Sequence, residues 1–255
     1  MTNYKMIRVY GQPRTRTGRT IWCLREIGVD FKVEQKKLFA GVKDFNPNNK
    51  QPVIVDVDGT IVYESMAINL YLAKKYKDVN PDFAPKNMKE EAKTLTWSFW
   101  VMTELDRVFF EMLFINKGVA TRTAHPLTNA ENYTNRFGRP PTERLAMRLA
   151  GEAEIALNIL NSELADGKEY LVGNRFTVTD LNICSVLTWA QYAPYPLLDK
   201  FENVKRYFNR CIERPTSLSS NSYPTKVANS NESFPANIET FNSKYAKIGY
   251  VAAKL

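Results

Sequence analysis

The chain holds a single histidine, His125, and only three cysteines, Cys23, Cys184 and Cys211, in 255 residues. One histidine in a proline-flanked stretch speaks against a Ser–His or Cys–His nucleophilic device and against a histidine-built metal centre. The cysteines are odd in number and lack metal-ligand spacing, so no metal is expected, and a reducing compartment is expected in place of a disulfide framework. Cys23 falls inside a helix rather than at its start, which suits a packed thiol better than a redox one. No charge-free apolar run of membrane-spanning length and no leader pattern stand out, so a cytoplasmic protein without a membrane partner is expected. Lysine and arginine outnumber the acids 35 to 27, for a formal net charge of +8. These bases are dispersed and no nucleic-acid motif accompanies them, so no nucleic-acid partner is expected.

What is present begins with Ile61-Val62-Tyr63-Glu64-Ser65-Met66-Ala67-Ile68. A short apolar strand ends on an acid and a hydroxyl, and a helix starts at once. The free N–H groups and dipole of a helix start hold a carboxylate. Glu64 beside them holds an ammonium by a charge-assisted hydrogen bond. Together they suit the head group of an α-amino acid. The plain alternative is that Ser65 is only an N-cap and Glu64 only a favourable charge near the dipole. Upstream, Asn46-Pro47 leads through Lys50-Gln51-Pro52 into the alternating Val53-Ile54-Val55 and an Asp58-Gly59 turn of hairpin type.

The run from Asn46-Pro47 to Pro52, with Asp58-Gly59 and Glu64-Ser65, resembles the glutathione-binding half of the cytosolic glutathione transferases. The resemblance implies a cis bond before Pro52, a Gln51 backbone that pairs with the cysteinyl part of glutathione, and a Glu64–Ser65 pair that holds its γ-glutamyl head. The implied glutathione-binding residues are Lys50, Gln51, Pro52, Glu64 and Ser65. The order of elements agrees: strands at 6–10, 31–36, 53–57 and 61–63 and helices at 17–27 and 65–76 make a thioredoxin-like α/β domain over residues 1–78. Its strand–helix–strand start crosses over right-handed into parallel neighbours. An all-α domain with a second-substrate pocket is expected over 87–215, and a C-terminal extension over 216–255.

The chemistry is expected between the first strand and first helix, in Gly11-Gln12-Pro13-Arg14-Thr15-Arg16-Thr17-Gly18-Arg19. This stretch resembles the family's Ser-Arg-Ser-x-Arg pattern with threonine in both serine places. The implied catalytic residues are Thr15 first and Thr17 second, although both threonines are also ordinary helix caps. A free thiol with pKa about 8.5 is mostly protonated at neutral pH, and its thiolate is the nucleophile. Lowering that pKa by about two units takes about 2.7 kcal/mol. One hydrogen bond to a charged group contributes about 1.5–3 kcal/mol, so a single hydroxyl is adequate. Arg14, Arg16, Arg19 and Arg25 give this helix a positive edge, read either as an anion-attracting rim or, for Arg25, as a solvated face; Arg19 is expected to pair with a carboxylate. Tyr10 lies too close to Gly11 to act as a catalytic tyrosine and is assigned to core or interface.

The second half reads as helical. Residues 90–115 form a densely apolar helix broken by charges, where the resemblance places a dimer interface and the pocket residues Trp97, Trp100, Glu104 and Phe110. Residues 117–141 read as a loop insertion. Pro141 or Thr142 opens an amphipathic helix to about Leu164, and Thr177 with Asp180 forms a capping box with Phe176 and Leu181 as staple. The implied activity is a homodimeric, detoxifying transferase that joins glutathione, as co-substrate, to a hydrophobic electrophile. Glutathione-dependent ether or disulfide cleavage is a second enzymatic reading, and a non-catalytic ligand-binding protein of the same fold is the third.

Overall fold

The computed structural model describes residues 5–13, 15–36, 41–115, 134, 137–140 and 142–217. Arg14, His125, most of the 117–141 insertion and the tail beyond 217 lie outside them. Four strands, β1 (Ile7–Tyr10), β2 (Phe31–Glu34), β3 (Val53–Val55) and β4 (Ile61–Tyr63), form one sheet in the order β2-β1-β3-β4. β1 and β2 are parallel, while β3 runs antiparallel to both β1 and β4. β4 matches its expected range, while β1, β2 and β3 are shorter than their alternating sequence suggests. At the β3 end the reason is Asp56, whose buried carboxylate accepts from Val57 N–H, Tyr71 Oη and Tyr76 Oη and pairs with Lys75, turning the chain into the hairpin.

Helix α1 (Thr17–Ile27) lays its whole length in the core, with Ile21, Trp22, Leu24 and Ile27 buried. Gly28 ends it at φ 85°, a left-handed position that only glycine takes without strain. Helix α2 (Ser65–Lys75) packs against α1. Beyond the linker come α3 (Met88–Val101), α4 (Arg107–Ile115), α5 (Glu143–Glu163), α6 (Val178–Leu187) and α7 (Glu202–Ile212). The single helix expected over 90–115 is divided by one π-helical turn, Met102–Asp106. A π turn widens the helix locally and swings the following residues around the axis, and here it carries Asp106 to the buried face.

Helix α6 is entirely buried and packs against α1, α2, α3 and α7. Its capping box is formed: Asp180 accepts from Thr177 N–H at 2.8 Å while Thr177 caps the first turn. Polar pairs stitch the two domains. Asn69 Nδ2 donates to Asn182 Oδ1 at 2.9 Å, and Asn182 Nδ2 to Ser98 Oγ at 2.9 Å. Glu26 of α1 binds Arg214 and Thr216 just after α7. Cys23, Cys184 and Cys211 are buried, and Cys23 Sγ faces Asn69 O at 3.8 Å, as a packed thiol would. Tyr10 is core, stacked on Phe45 at 4.7 Å.

Candidate functional site

Two helix starts and one loop converge at the edge of the sheet, through β1, β3 and β4 and the segments that leave them. The loop is built around Asn46, which is buried and bonded on every side. Its side chain donates to Lys50 O at 2.8 Å and accepts from Asn48 N–H at 3.0 Å, and its carbonyl accepts from Asn49 N–H at 2.8 Å. That turn delivers Lys50, exposed, and Gln51 to the Gln51–Pro52 bond, which is cis.

From Pro52 the chain passes through β3 and β4 to Glu64. Glu64 is exposed and sits at φ 71°, ψ 116°, a conformation that costs a non-glycine residue about 1–3 kcal/mol. It, and not Ser65, is the N-cap; Ser65 is the first helical residue, which corrects the capping role read from the sequence. No side chain caps α2. Ser65 Oγ is buried and has no hydrogen-bond partner among the described residues. A buried hydroxyl without a partner costs about 1–3 kcal/mol, and it stands beside the first free N–H groups of the helix.

The β1–α1 segment shows the same economy of caps. Arg16 occupies the N-cap place of α1 with no side-chain cap, although two threonines are at hand. Thr15 Oγ1 donates instead to Gln12 O at 2.7 Å and lies 3.0 Å from Thr17 Oγ1. Thr15 is half-buried, whereas Thr17 is 0% exposed. Gln12 N–H donates to Gln51 Oε1 at 3.0 Å, so the threonine segment is tied to the cis-proline loop. By contrast α3, α5 and α6 are capped by Asn87, Thr142 and Thr177.

The arginines of α1 are not an open rim. Arg16 grips Asp106 with Nε at 3.1 Å and Nη2 at 2.5 Å, and Arg19 Nη2 reaches the same carboxylate at 2.5 Å. Burial pushes the Asp106 carboxyl up, but Arg19 and Arg16 outweigh it and hold the group below its ordinary value. Burial pulls the Arg19 guanidinium down despite Asp106. Arg25 is buried too, which overturns the solvated-face reading. Arg19 was expected to pair with a carboxylate, but which one was not legible, because the reach of Asp106 depends on the π turn. Arg16 also lies 4.3 Å over the ring of Phe110, which stacks on Trp189 at 5.7 Å. Trp97 and Trp100 meet edge to face at 4.9 Å, half-buried, and Glu104 is exposed. Among the described residues no three metal-ligating side chains cluster, and no helix is long and apolar enough to cross a membrane.

Sequence comparison matches residues 16–75 to the family described as glutathione S-transferase, N-terminal domain, and residues 120–215 to its C-terminal domain. Glutathione S-transferase GstA of Escherichia coli O157:H7 is 30% identical over 200 residues, 75% of this chain and 86% of that protein. A glutathione S-transferase domain-containing protein of Dictyostelium discoideum is 28% identical over 177 residues, which span 66% of this chain but only 59% of that protein's length. Among solved structures, glutathione S-transferase III in apo form superposes with a TM-score of 0.67 at 25% identity, covering 83% of this chain and 93% of the other. A glutathione transferase family member from Pseudomonas fluorescens Pf-5, with two glutathione bound, shares the fold at a TM-score of 0.65 and 24% identity, over 83% and 90% of the two chains.

Proposed function

The chain belongs to the glutathione S-transferase family, and from that premise we propose that it binds glutathione along the Gln51–Glu64 edge and activates its thiol toward hydrophobic electrophiles. The observation that carries the reading is the uncapped start of α2, with the partnerless Ser65 hydroxyl beneath the exposed, strained Glu64. A tripeptide carboxylate suits the free N–H groups and hydroxyl there, and its ammonium suits Glu64. Gln51 and Pro52 offer backbone to the middle of the tripeptide, with Lys50 beside them. Thr15, the more exposed hydroxyl, is the donor to sulfur.

The electrophile's ground is the side of α3 and α4 that faces this edge, with Phe110 at its base. The apolar Leu95 and Phe99 of α3, the latter 66% exposed, and Ile61 and Tyr63 of β4 suit burial against a second copy in a homodimer. A cytoplasmic, detoxifying role follows from the same reading.

Retention on immobilised glutathione with turnover of an aryl halide supports the transferase. A second reading has its own observation: the one hydrogen of Thr15 is already given to Gln12 O. If the protein is retained without turnover, and Thr15→Ala is retained equally, it is a glutathione-binding protein and the catalytic reading fails.

A further inference from the structure

We infer that Thr17 is a positioning residue that acts on the glutathione sulfur through Thr15; the inference rests on the tripeptide reading above. A threonine hydroxyl carries one hydrogen and two lone pairs. The hydrogen of Thr15 goes to Gln12 O at 2.7 Å. The hydrogen between the two hydroxyls, 3.0 Å apart, is therefore supplied by Thr17. Thr17 N–H also points to Thr15 Oγ1, at 3.3 Å. Both lone pairs of Thr15 are thus served from Thr17, and its single hydrogen is the only part left to redirect.

The surroundings keep that arrangement fixed. Thr17 is fully buried, so its hydroxyl does not itself meet a ligand. A Cβ at Gly11, which sits at φ 148°, would stand 2.2 Å from Thr17 Oγ1 and 3.2 Å from Gln51 Cβ. Glycine there leaves the slot that the hydroxyl fills. Gln12 is pinned by its N–H on Gln51 Oε1 and by its side chain on Lys36 O at 2.5 Å. When a thiolate takes the hydrogen of Thr15, Gln12 O still accepts from Thr15 N–H at 3.0 Å. The O–H turns about its own C–O bond, carrying the lone pairs with it; the longer contact from Thr17 N–H, 3.3 Å, is given up and the Thr17 hydroxyl keeps its hold on the oxygen. An accepted hydrogen bond also polarises the donor, strengthening the next bond by about 10–30%.

The test is titration of the thiol of bound glutathione by thiolate absorbance, in the wild type, Thr17→Val, Thr17→Ser, Thr15→Val and the double variant Thr15→Val/Thr17→Val. Thr17→Val is expected to raise the thiol pKa by about half a unit to one unit, lowering the thiolate-to-thiol ratio about three- to tenfold at a given pH. Glutathione affinity should stay within about twofold, Thr17→Ser should restore the pKa, and Thr17→Val should add nothing where Thr15 is already valine. A Thr17→Val enzyme with the wild-type pKa overturns the inference, as does an equal shift in the Thr15→Val background; Thr17→Ala serves in the same scheme if the valine variant does not fold. A wild type that takes up no glutathione overturns the site reading and this inference with it, whereas a wild type with a lowered thiol pKa insensitive to Thr17 overturns the inference alone.

Discussion

Asp180→Ala removes one side chain that four donors share. Asp180 is fully buried and accepts from Leu171 N–H at 2.9 Å, Thr177 N–H at 2.8 Å, Thr177 Oγ1 at 3.0 Å and Tyr207 Oη at 3.0 Å. Stranding four buried donors costs about 1–3 kcal/mol each, roughly 4–12 kcal/mol in gross. Against that, the variant no longer buries a carboxylate. Burial pushes the Asp180 carboxyl up from 3.8 to about 6 in spite of its donors. At about 1.36 kcal/mol per pKa unit that relief is about 3 kcal/mol at neutral pH. The expected net loss is about 1–9 kcal/mol with a centre near 5, several times what an exposed helix cap contributes. Asp180→Asn keeps one acceptor, sheds the charge and turns an NH2 group toward donors, so an intermediate loss of about 1–2 kcal/mol is expected.

The pH dependence of the Asn variant separates the two contributions. A carboxyl whose folded pKa lies above its unfolded value holds more protons in the native state. Its ionised form therefore costs stability, and the cost grows as pH rises from about 4 to beyond 6. Asparagine does not titrate, so the gap between wild type and Asp180→Asn should narrow by up to about 3 kcal/mol between pH 4 and pH 7. Urea unfolding followed by tryptophan fluorescence at pH 4, 5.5 and 7 measures this gap directly. An Asp180→Ala midpoint equal to wild type, or a gap that widens with pH, refutes the reasoning.

Glu64→Gln should weaken glutathione about 10- to 100-fold by calorimetry, the loss of one charged hydrogen bond of about 1.5–3 kcal/mol, and unchanged affinity would remove Glu64 from the site. Asp106→Asn leaves Arg19 buried without its carboxylate and should cost about 3–5 kcal/mol. Because the folded pKa of Asp106 is depressed, the wild type should also lose stability as pH falls through the ordinary carboxylate value of 3.8 and below, an acid loss that melting curves of the Asn variant should lack in part. Phe99→Glu should turn a sedimenting dimer into a monomer with its helical content intact, and a wild type that is monomeric at micromolar concentration would refute the dimer.

The fold was legible wherever local chemistry and burial agree. Helix α1 starts at Thr17 and ends at Gly28 as its periodicity and glycine indicate, and α6 starts at Thr177 because a threonine and an aspartate three residues on satisfy each other's backbone. The parallel β1–β2 pair followed by an antiparallel hairpin follows from connection lengths alone. Less was legible where partners lie far apart in sequence. Arg16 and Asp106 are 90 residues apart, and Asn69 and Asn182 are 113. Nothing local to Arg16 distinguishes a gripped guanidinium from a solvated one, and nothing local to residues 90–115 marks a π turn.

Capping shows the remaining gap and its cause. Thr15, Thr17 and Ser65 are the residue types that cap helices, and in sequence they stand where caps belong. Yet α1 begins at an uncapped Arg16 and α2 at an uncapped Glu64, while α3, α5 and α6 keep side-chain caps. Each omitted cap costs the fold about 1 kcal/mol, and Glu64 adds backbone strain. A structure selected for stability alone would place an Asx or hydroxyl side chain on the N–H groups of α2. At α1 the first N–H groups are met locally, Thr17 N–H by Thr15 Oγ1 and Gly18 N–H by Thr15 O, whereas leaving the start of α2 open makes physical sense if an outside anion completes it. Glutathione, with a carboxylate at its γ-glutamyl end, supplies that anion for α2, and its ionisable sulfur is the acceptor to which the Thr15 hydroxyl can turn.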